Sequence, residues 1–94
     1  MDLYAIVTGA SKGIGREISI LLAKKGYKLI LIARSTSELE VLTAELPDEA
    51  LYFTIDLSEA GAAKKVAEFC KNLPVSILVN NAGIFSFITI QYKR

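Results

Sequence analysis

The segment Thr8 to Gly15 reads Thr-Gly-Ala-Ser-Lys-Gly-Ile-Gly, and it lies between an apolar run and a helical pattern of apolar residues. A strand that turns through glycines into a helix brings unpaired backbone N–H groups and the positive end of the helix dipole to one point, which favours a phosphate. Gly9 suits the tight turn, Gly13 the close approach of a pyrophosphate, and Gly15 the packing of helix against strand. The segment therefore predicts a dinucleotide site.

The rest of the chain predicts an α/β fold around this loop. Continuously apolar strands are typical of a parallel sheet covered on both faces, and they are expected at residues 3–7, 29–33, 51–55 and 75–79. Helices are expected between them, at residues 13–25, 35–46 and 58–72. The pattern predicts the first part of a doubly wound sheet in the order 3-2-1-4, where ligands bind outside the carboxyl ends of the strands.

Two serines are predicted to begin helices. Ser35 with Glu38 forms a capping box, and Ser58 is placed to cap the third helix. The buried face of that third helix is expected to carry Val66, Phe69, Cys70 and Leu73.

Composition limits the function classes. The 94 residues are expected to form one domain, residues 1–94, and a net charge of +1 argues against a nucleic-acid surface. Cys70 is the single cysteine, which fits a reducing compartment and a buried structural role. With no membrane-length apolar run and no signal sequence, we expect a soluble cytoplasmic protein with no membrane partner.

Three motifs together resemble the short-chain dehydrogenase/reductase family. Residues 8–15 match its TGxxxGxG motif, Asp56-Leu57 follows the third strand, and Asn80-Asn81-Ala82-Gly83 follows the fourth. The resemblance spans residue 2 to about residue 85, and it implies a Rossmann-like fold that binds NAD(P). It also implies that Asp56 contacts the adenine amino group, that Asn80 braces the sheet near the glycine loop, and that the Ala-Gly backbone leaves room for adenosine.

The end of the second strand bears on the choice of cofactor. The family's NAD-preferring members carry an acid where this chain has Ala33, and Arg34 follows it. A guanidinium binds phosphate bidentately and stacks on adenine, so Arg34 with Lys12 and Ser35 favours NADP(H) over NAD(H). The alternative is that both cations are solvated surface residues. The full set of predicted cofactor residues is Thr8, Gly9, Ser11, Lys12, Gly13, Ile14, Gly15, Arg34, Ser35, Asp56, Leu57, Asn80, Ala82 and Gly83; no metal site is predicted.

The family's catalytic Ser and Tyr-x-x-x-Lys have no match in this chain. Tyr92-Lys93 has the residue types at the wrong spacing, since adjacent helical positions do not share a face. The resemblance implies that this chain is the cofactor-binding half of an NAD(P)-dependent oxidoreductase that acts on carbonyls or alcohols. We expect the chain to be inactive when it is alone. The alternative is a catalytically inactive dinucleotide-binding or interaction module.

Residues 85–94 form an atypical tail, and residues 85–92 are dominated by β-branched and aromatic side chains. This pattern indicates a chain cut short or read out of frame after about residue 85. We expect the bare edge and face of the fourth strand to be protected in one of two ways. Either residues 85–92 pair antiparallel with residues 76–79, or two chains associate as a homo-oligomer; we favour association.

Overall fold

The computed structural model describes residues 3–47 and 50–81, and the backbone of residues 89–92. Its elements alternate along the chain before the final strand. They are β1 Tyr4–Thr8, α1 Gly13–Lys24, β2 Lys28–Ala33, α2 Thr36–Glu45, β3 Leu51–Thr54, α3 Ala62–Phe69, β4 Val75–Asn80 and β5 Thr89–Tyr92.

The sheet has the strand order β3-β2-β1-β4-β5. The first four strands in sequence run parallel, with Val7 opposite both Leu31 of β2 and Val79 of β4. This arrangement confirms the predicted α/β doubly wound sheet of order 3-2-1-4. Growth of the sheet reverses direction between β1 and β4, so the carboxyl ends of these two strands flank the point where ligands bind in such folds.

Side chains that alternate along the strands pack into two apolar cores, one on each face of the sheet. Ala5, Val7, Leu29 and Leu31 pack on the face covered by α1 and α2, while Ile6, Ile30 and Ile32 pack on the face where Ala62 and Cys70 lie. The β2 residues from Leu29 to Ile32 are at most 2% exposed. Burial of each such side chain stabilises the fold by about 1.5–3 kcal/mol, which explains why the continuous apolar run lies inside the sheet.

The tail forms a strand on the outer side of β4. β5 runs antiparallel to β4, with Thr89 opposite Asn80 and Tyr92 opposite Ile77. This is the predicted tail pairing, the alternative less favoured than association, and the observed strand covers residues 89–92 of the predicted 85–92. The rest of that predicted stretch lies outside the described residues. Within the chain, β5 therefore pairs with the edge of β4 that was expected to be bare.

The third helix begins later than the sequence predicted. α3 starts at Ala62, and its N-cap is Gly61 in a left-handed conformation with φ 78°, so the expectation that Ser58 caps this helix is wrong. Ser58 instead donates to the carboxylate of Asp56, and a turn lies between Ser58 and the start of α3. Phe69 is also less buried than predicted: it is 36% exposed and stacks on Phe53, with ring centroids 4.9 Å apart.

The cap of the second helix is confirmed. The Ser35 Oγ accepts a hydrogen bond of 3.4 Å from the backbone N–H of Glu38, which satisfies one of the N–H groups at the start of α2. Among the residues that the structure describes, no helix has the length and apolar character that a membrane crossing requires.

Candidate dinucleotide-binding site

The glycine loop between β1 and α1 contains two residues in the left-handed region of backbone space. Gly9 has φ 62° and Gly13 has φ 54°, a conformation that a residue with a Cβ adopts only with strain. A Cβ at Gly13 would meet no atom within 4 Å, so this side of the loop is open. The loop therefore turns sharply at Gly9 and presents an uncovered backbone at Gly13, where a pyrophosphate approaches in loops of this kind.

Gly15 is required for a different reason, which is space. A Cβ at this position would lie 2.1 Å from the backbone oxygen of Gly9 and 2.6 Å from the side-chain nitrogen of Asn81. Real Cβ atoms do not approach other atoms so closely. Gly15 thus allows the first turn of α1 to pack directly against the end of β1, and this contact fixes the direction in which the helix points.

The first turn of α1 exposes the positive end of the helix. Lys12 occupies the N-cap position in an extended conformation, no side chain caps the helix, and no acidic residue lies in its first turn. Lys12, Gly13 and Ile14 are exposed, and Ser11 is half-buried. Because the first N–H groups of a helix have no partner within it, this turn offers donors and a favourable dipole to an anion.

The buried hydroxyl of Thr8 connects β1 to the end of β4. The Thr8 Oγ1 lies 3.1 Å from the Asn80 Oδ1, to which it donates, and it accepts a hydrogen bond of 2.9 Å from the backbone N–H of Asn81. The Asn81 side chain in turn donates to the backbone oxygen of Gly9 at 3.4 Å. The bracing expected of Asn80 is therefore shared with Asn81, which is not among the predicted site residues.

Arg34 and Ser35 lie beside the loop at the end of β2. The backbone N–H of Ala10 donates to the carbonyl of Ile32 at 3.2 Å, which holds the glycine loop against this strand. Ala33 is 7% exposed and apolar, while Arg34 is exposed and Ser35 caps α2. The end of β2 therefore presents a guanidinium at the position that follows Ala33.

Asp56 follows β3, and its carboxylate is held by a turn. Its Oδ1 accepts hydrogen bonds from the backbone N–H of Ser58 at 2.9 Å and from the Ser58 hydroxyl at 2.7 Å. These bonds, followed by the nearby charge of Arg34, hold the pKa of Asp56 below its usual value. Asp56 is thus an ionised acceptor at neutral pH, and the neighbouring Leu57 packs against the core on the α3 side of the sheet.

Three further predictions concern the Ala82-Gly83 backbone, metal binding and Cys70. Ala82 and Gly83, predicted to leave room for adenosine, lie outside the described residues. In the part of the chain that is described, no group of three or more His, Cys, Asp or Glu side chains is placed to hold a metal ion. Cys70 is buried in the core on the α3 side of the sheet, and burial raises the pKa of its thiol.

Comparison with known proteins identifies the family. The profile of the short chain dehydrogenase family matches residues 3–93, and so extends past residue 85, where the motif resemblance ends. The very-long-chain 3-oxoacyl-CoA reductase of Candida glabrata is 45% identical over 95% of this chain, and that of Kluyveromyces lactis is 42% identical over 97%. The chain spans only 27% and 28% of the lengths of these two relatives.

Solved structures agree with the sequence comparison. A betaketoacyl-[ACP] reductase from Bacteroides thetaiotaomicron superposes with a TM-score of 0.78 at 34% identity, covering 90% of this chain and 44% of that one. A metagenomic short-chain oxidoreductase in complex with NADP gives a TM-score of 0.80 at 34% identity, covering 88% of this chain and 40% of that one. From its sequence profile, its sheet order and its glycine loop, this chain belongs to the short chain dehydrogenase family.

Proposed function

We propose that this chain is the NADP(H)-binding part of an oxidoreductase that transfers hydride between NADP(H) and a carbonyl or alcohol. The observation that carries the proposal is the geometry of the glycine loop. Its backbone is open at Gly13, closed against the helix at Gly15, and followed by an uncapped helix N-terminus. This combination leaves room for a pyrophosphate and supplies the donors that it needs.

The preference for NADP(H) is proposed from the end of β2. Ala33 offers no carboxylate to accept from a ribose 2′-hydroxyl, and a 2′-phosphate would meet the exposed guanidinium of Arg34. Lys12 supplies a second cation from the glycine loop. The metagenomic short-chain oxidoreductase, whose structure is similar to this chain, was solved in complex with NADP, and this supports the proposed cofactor.

The substrate class is proposed from the named relatives. Those of Candida glabrata and Kluyveromyces lactis are very-long-chain 3-oxoacyl-CoA reductases, so we propose that the complete protein reduces the 3-oxo group of an acyl thioester. The 94 residues hold no Tyr-x-x-x-Lys. We therefore propose that residues 1–94 form one cofactor-binding domain that does not turn over substrate when alone.

A second candidate is an inactive module that binds a dinucleotide or another chain. Association through the β4 side of the sheet would now involve β5, which pairs with β4. The homo-oligomer and the cytoplasmic location both stay predictions. Light scattering measures the oligomeric state, and a molar mass equal to that of one chain would contradict association.

The proposal is tested by calorimetric titration of the chain with NADPH and NADH. Gly13→Ala should abolish binding because its methyl group would fill the space that the pyrophosphate needs. Gly26→Ala is the matched control. Gly26 follows α1 with φ 97°, and a Cβ there would meet no atom within 4 Å, so both variants carry the same kind of backbone strain.

We expect the wild-type chain to bind NADPH about tenfold more tightly than NADH, or better, which corresponds to about 1.4 kcal/mol. Gly26→Ala should bind as the wild type does. Equal binding of the two cofactors would overturn the preference. Equal loss in the two glycine variants would overturn the assignment of the loop as the binding site.

A further inference from the structure

The ammonium group of Lys12 has an acidic neighbour on the second helix. The Lys12 Nζ lies 3.8 Å from the Glu38 Oε2, and the two side chains are 79% and 38% exposed. Lys12 is one of the two cations that the proposed function assigns to the 2′-phosphate. The same ammonium is therefore shared between an internal carboxylate and the predicted ligand group.

The position of Glu38 is set by the fold. Its backbone N–H donates to the Ser35 Oγ at 3.4 Å in the cap of α2, and α2 is anchored to the sheet by Leu39 and Leu42, which are at most 1% exposed. Helix α2 is also tied to α1 by an ion pair between Arg16 and Glu45. The carboxylate of Glu38 is thus brought beside the glycine loop by a capped and anchored helix.

We propose that Glu38 is a specificity-determining residue that pairs with Lys12 and competes with the 2′-phosphate of NADP(H) for it. The proposal rests on the proposed function. Binding of NADPH requires the Lys12 ammonium to leave the Glu38 carboxylate and to contact the 2′-phosphate instead. NADH carries a hydroxyl in place of the phosphate, so its binding does not engage Lys12. Glu38 therefore reduces the discrimination that Lys12 and Arg34 provide.

The test compares Glu38→Gln with the wild-type chain by titration with NADPH and NADH. Glutamine is chosen because it keeps the size of the side chain and its ability to take part in a helix cap. Exposed ion pairs are weak, so we expect NADPH to bind about two- to fivefold more tightly to the variant, with NADH unchanged. Glu40→Gln is the control, since it removes the same charge from an exposed site on the same helix.

A double-mutant cycle tests whether Glu38 acts through Lys12. In a Lys12→Met background, Glu38→Gln should leave NADPH affinity unchanged. A gain that persists without Lys12, or an equal gain in Glu40→Gln, would overturn the proposal by showing only general charge repulsion. Unchanged or weaker NADPH binding in Glu38→Gln would overturn it as well.

The outcomes separate this inference from the proposed function. If the wild type prefers NADPH and Glu38→Gln changes nothing, the inference alone fails. If the wild type binds both cofactors equally and Glu38→Gln gains affinity for NADPH only, the inference holds. The proposal that the wild-type chain prefers NADPH is then wrong.

Discussion

The backbone N–H of Asn81 donates to the Thr8 Oγ1 across 2.9 Å, joining the carboxyl ends of β1 and β4. Because the same buried hydroxyl also contacts Asn80, its removal leaves polar groups of both asparagines without that partner. We predict that Thr8→Val lowers the free energy of unfolding by about 1–3 kcal/mol, measured by urea denaturation. Thr36→Val removes an exposed hydroxyl and should cost below about 0.5 kcal/mol. Similar losses in the two variants would contradict the bridging role.

The contact between Gly15 and Gly9 predicts a larger loss of stability. Alanine at position 15 places a methyl group 2.1 Å from a backbone oxygen, which must shift since it is not the end of a flexible side chain. We expect Gly15→Ala to lower the free energy of unfolding by about 3 kcal/mol or more. Gly61→Ala, which has only backbone strain at φ 78°, should cost about 1 kcal/mol. Thermal and urea unfolding measure both, and a mild effect at Gly15 would show that the helix packs less closely than the structure has it.

Arg34 is predicted to discriminate between the cofactors. Its guanidinium is exposed at the end of β2 and would make charge-assisted contacts with a 2′-phosphate. We expect Arg34→Ala to weaken NADPH binding by about 1.5–3 kcal/mol and to leave NADH binding nearly unchanged. Lys64→Ala removes a cation from the exposed side of α3 and serves as the control. An equal loss for both cofactors in Arg34→Ala would argue for a contact to some other part of the dinucleotide.

Ser58 is predicted to control the ionisation of Asp56. The two hydrogen bonds from Ser58 stabilise the carboxylate, so the pKa of Asp56 in the folded chain lies below that in the unfolded chain. The resulting stabilisation is present above the unfolded pKa, about 3.9, and is lost as the pH falls through the lower folded value. We expect Ser58→Ala to raise the pKa of Asp56, as measured by NMR titration of its carboxyl carbon. No change in that titration would mean that the side-chain bond is not formed in solution.

The sheet was predictable from the sequence because its signals are local and repeated. The continuous apolar runs ending at Val7 and Ala33 mark buried parallel strands, and the helices between them require parallel crossovers. The cap at Ser35 was predictable for the same reason: donor and acceptor are three residues apart.

The start of α3 and the contact of Asn81 with Gly9 were not predictable. Ser58 has the side chain of an N-cap, but its N–H and hydroxyl donate to Asp56, and Gly61 is the N-cap of α3 instead. The role of Asn81 depends on the approach of Gly9, which is 72 positions away in the sequence. The signal available for Asn81 was its place in the Asn80-Asn81-Ala82-Gly83 motif at the end of a strand.

The central claim is that a dinucleotide binds at the carboxyl ends of β1, β2 and β4, and an NMR titration of the ¹⁵N-labelled chain with NADPH tests it most directly. We predict that the largest amide shifts fall in residues 8–15 and around Arg34, Asp56 and Asn81, and that Gly13→Ala abolishes them. Shifts centred on the far ends of the strands, near Lys28 and Val75, or no shifts at saturating NADPH, would contradict the claim.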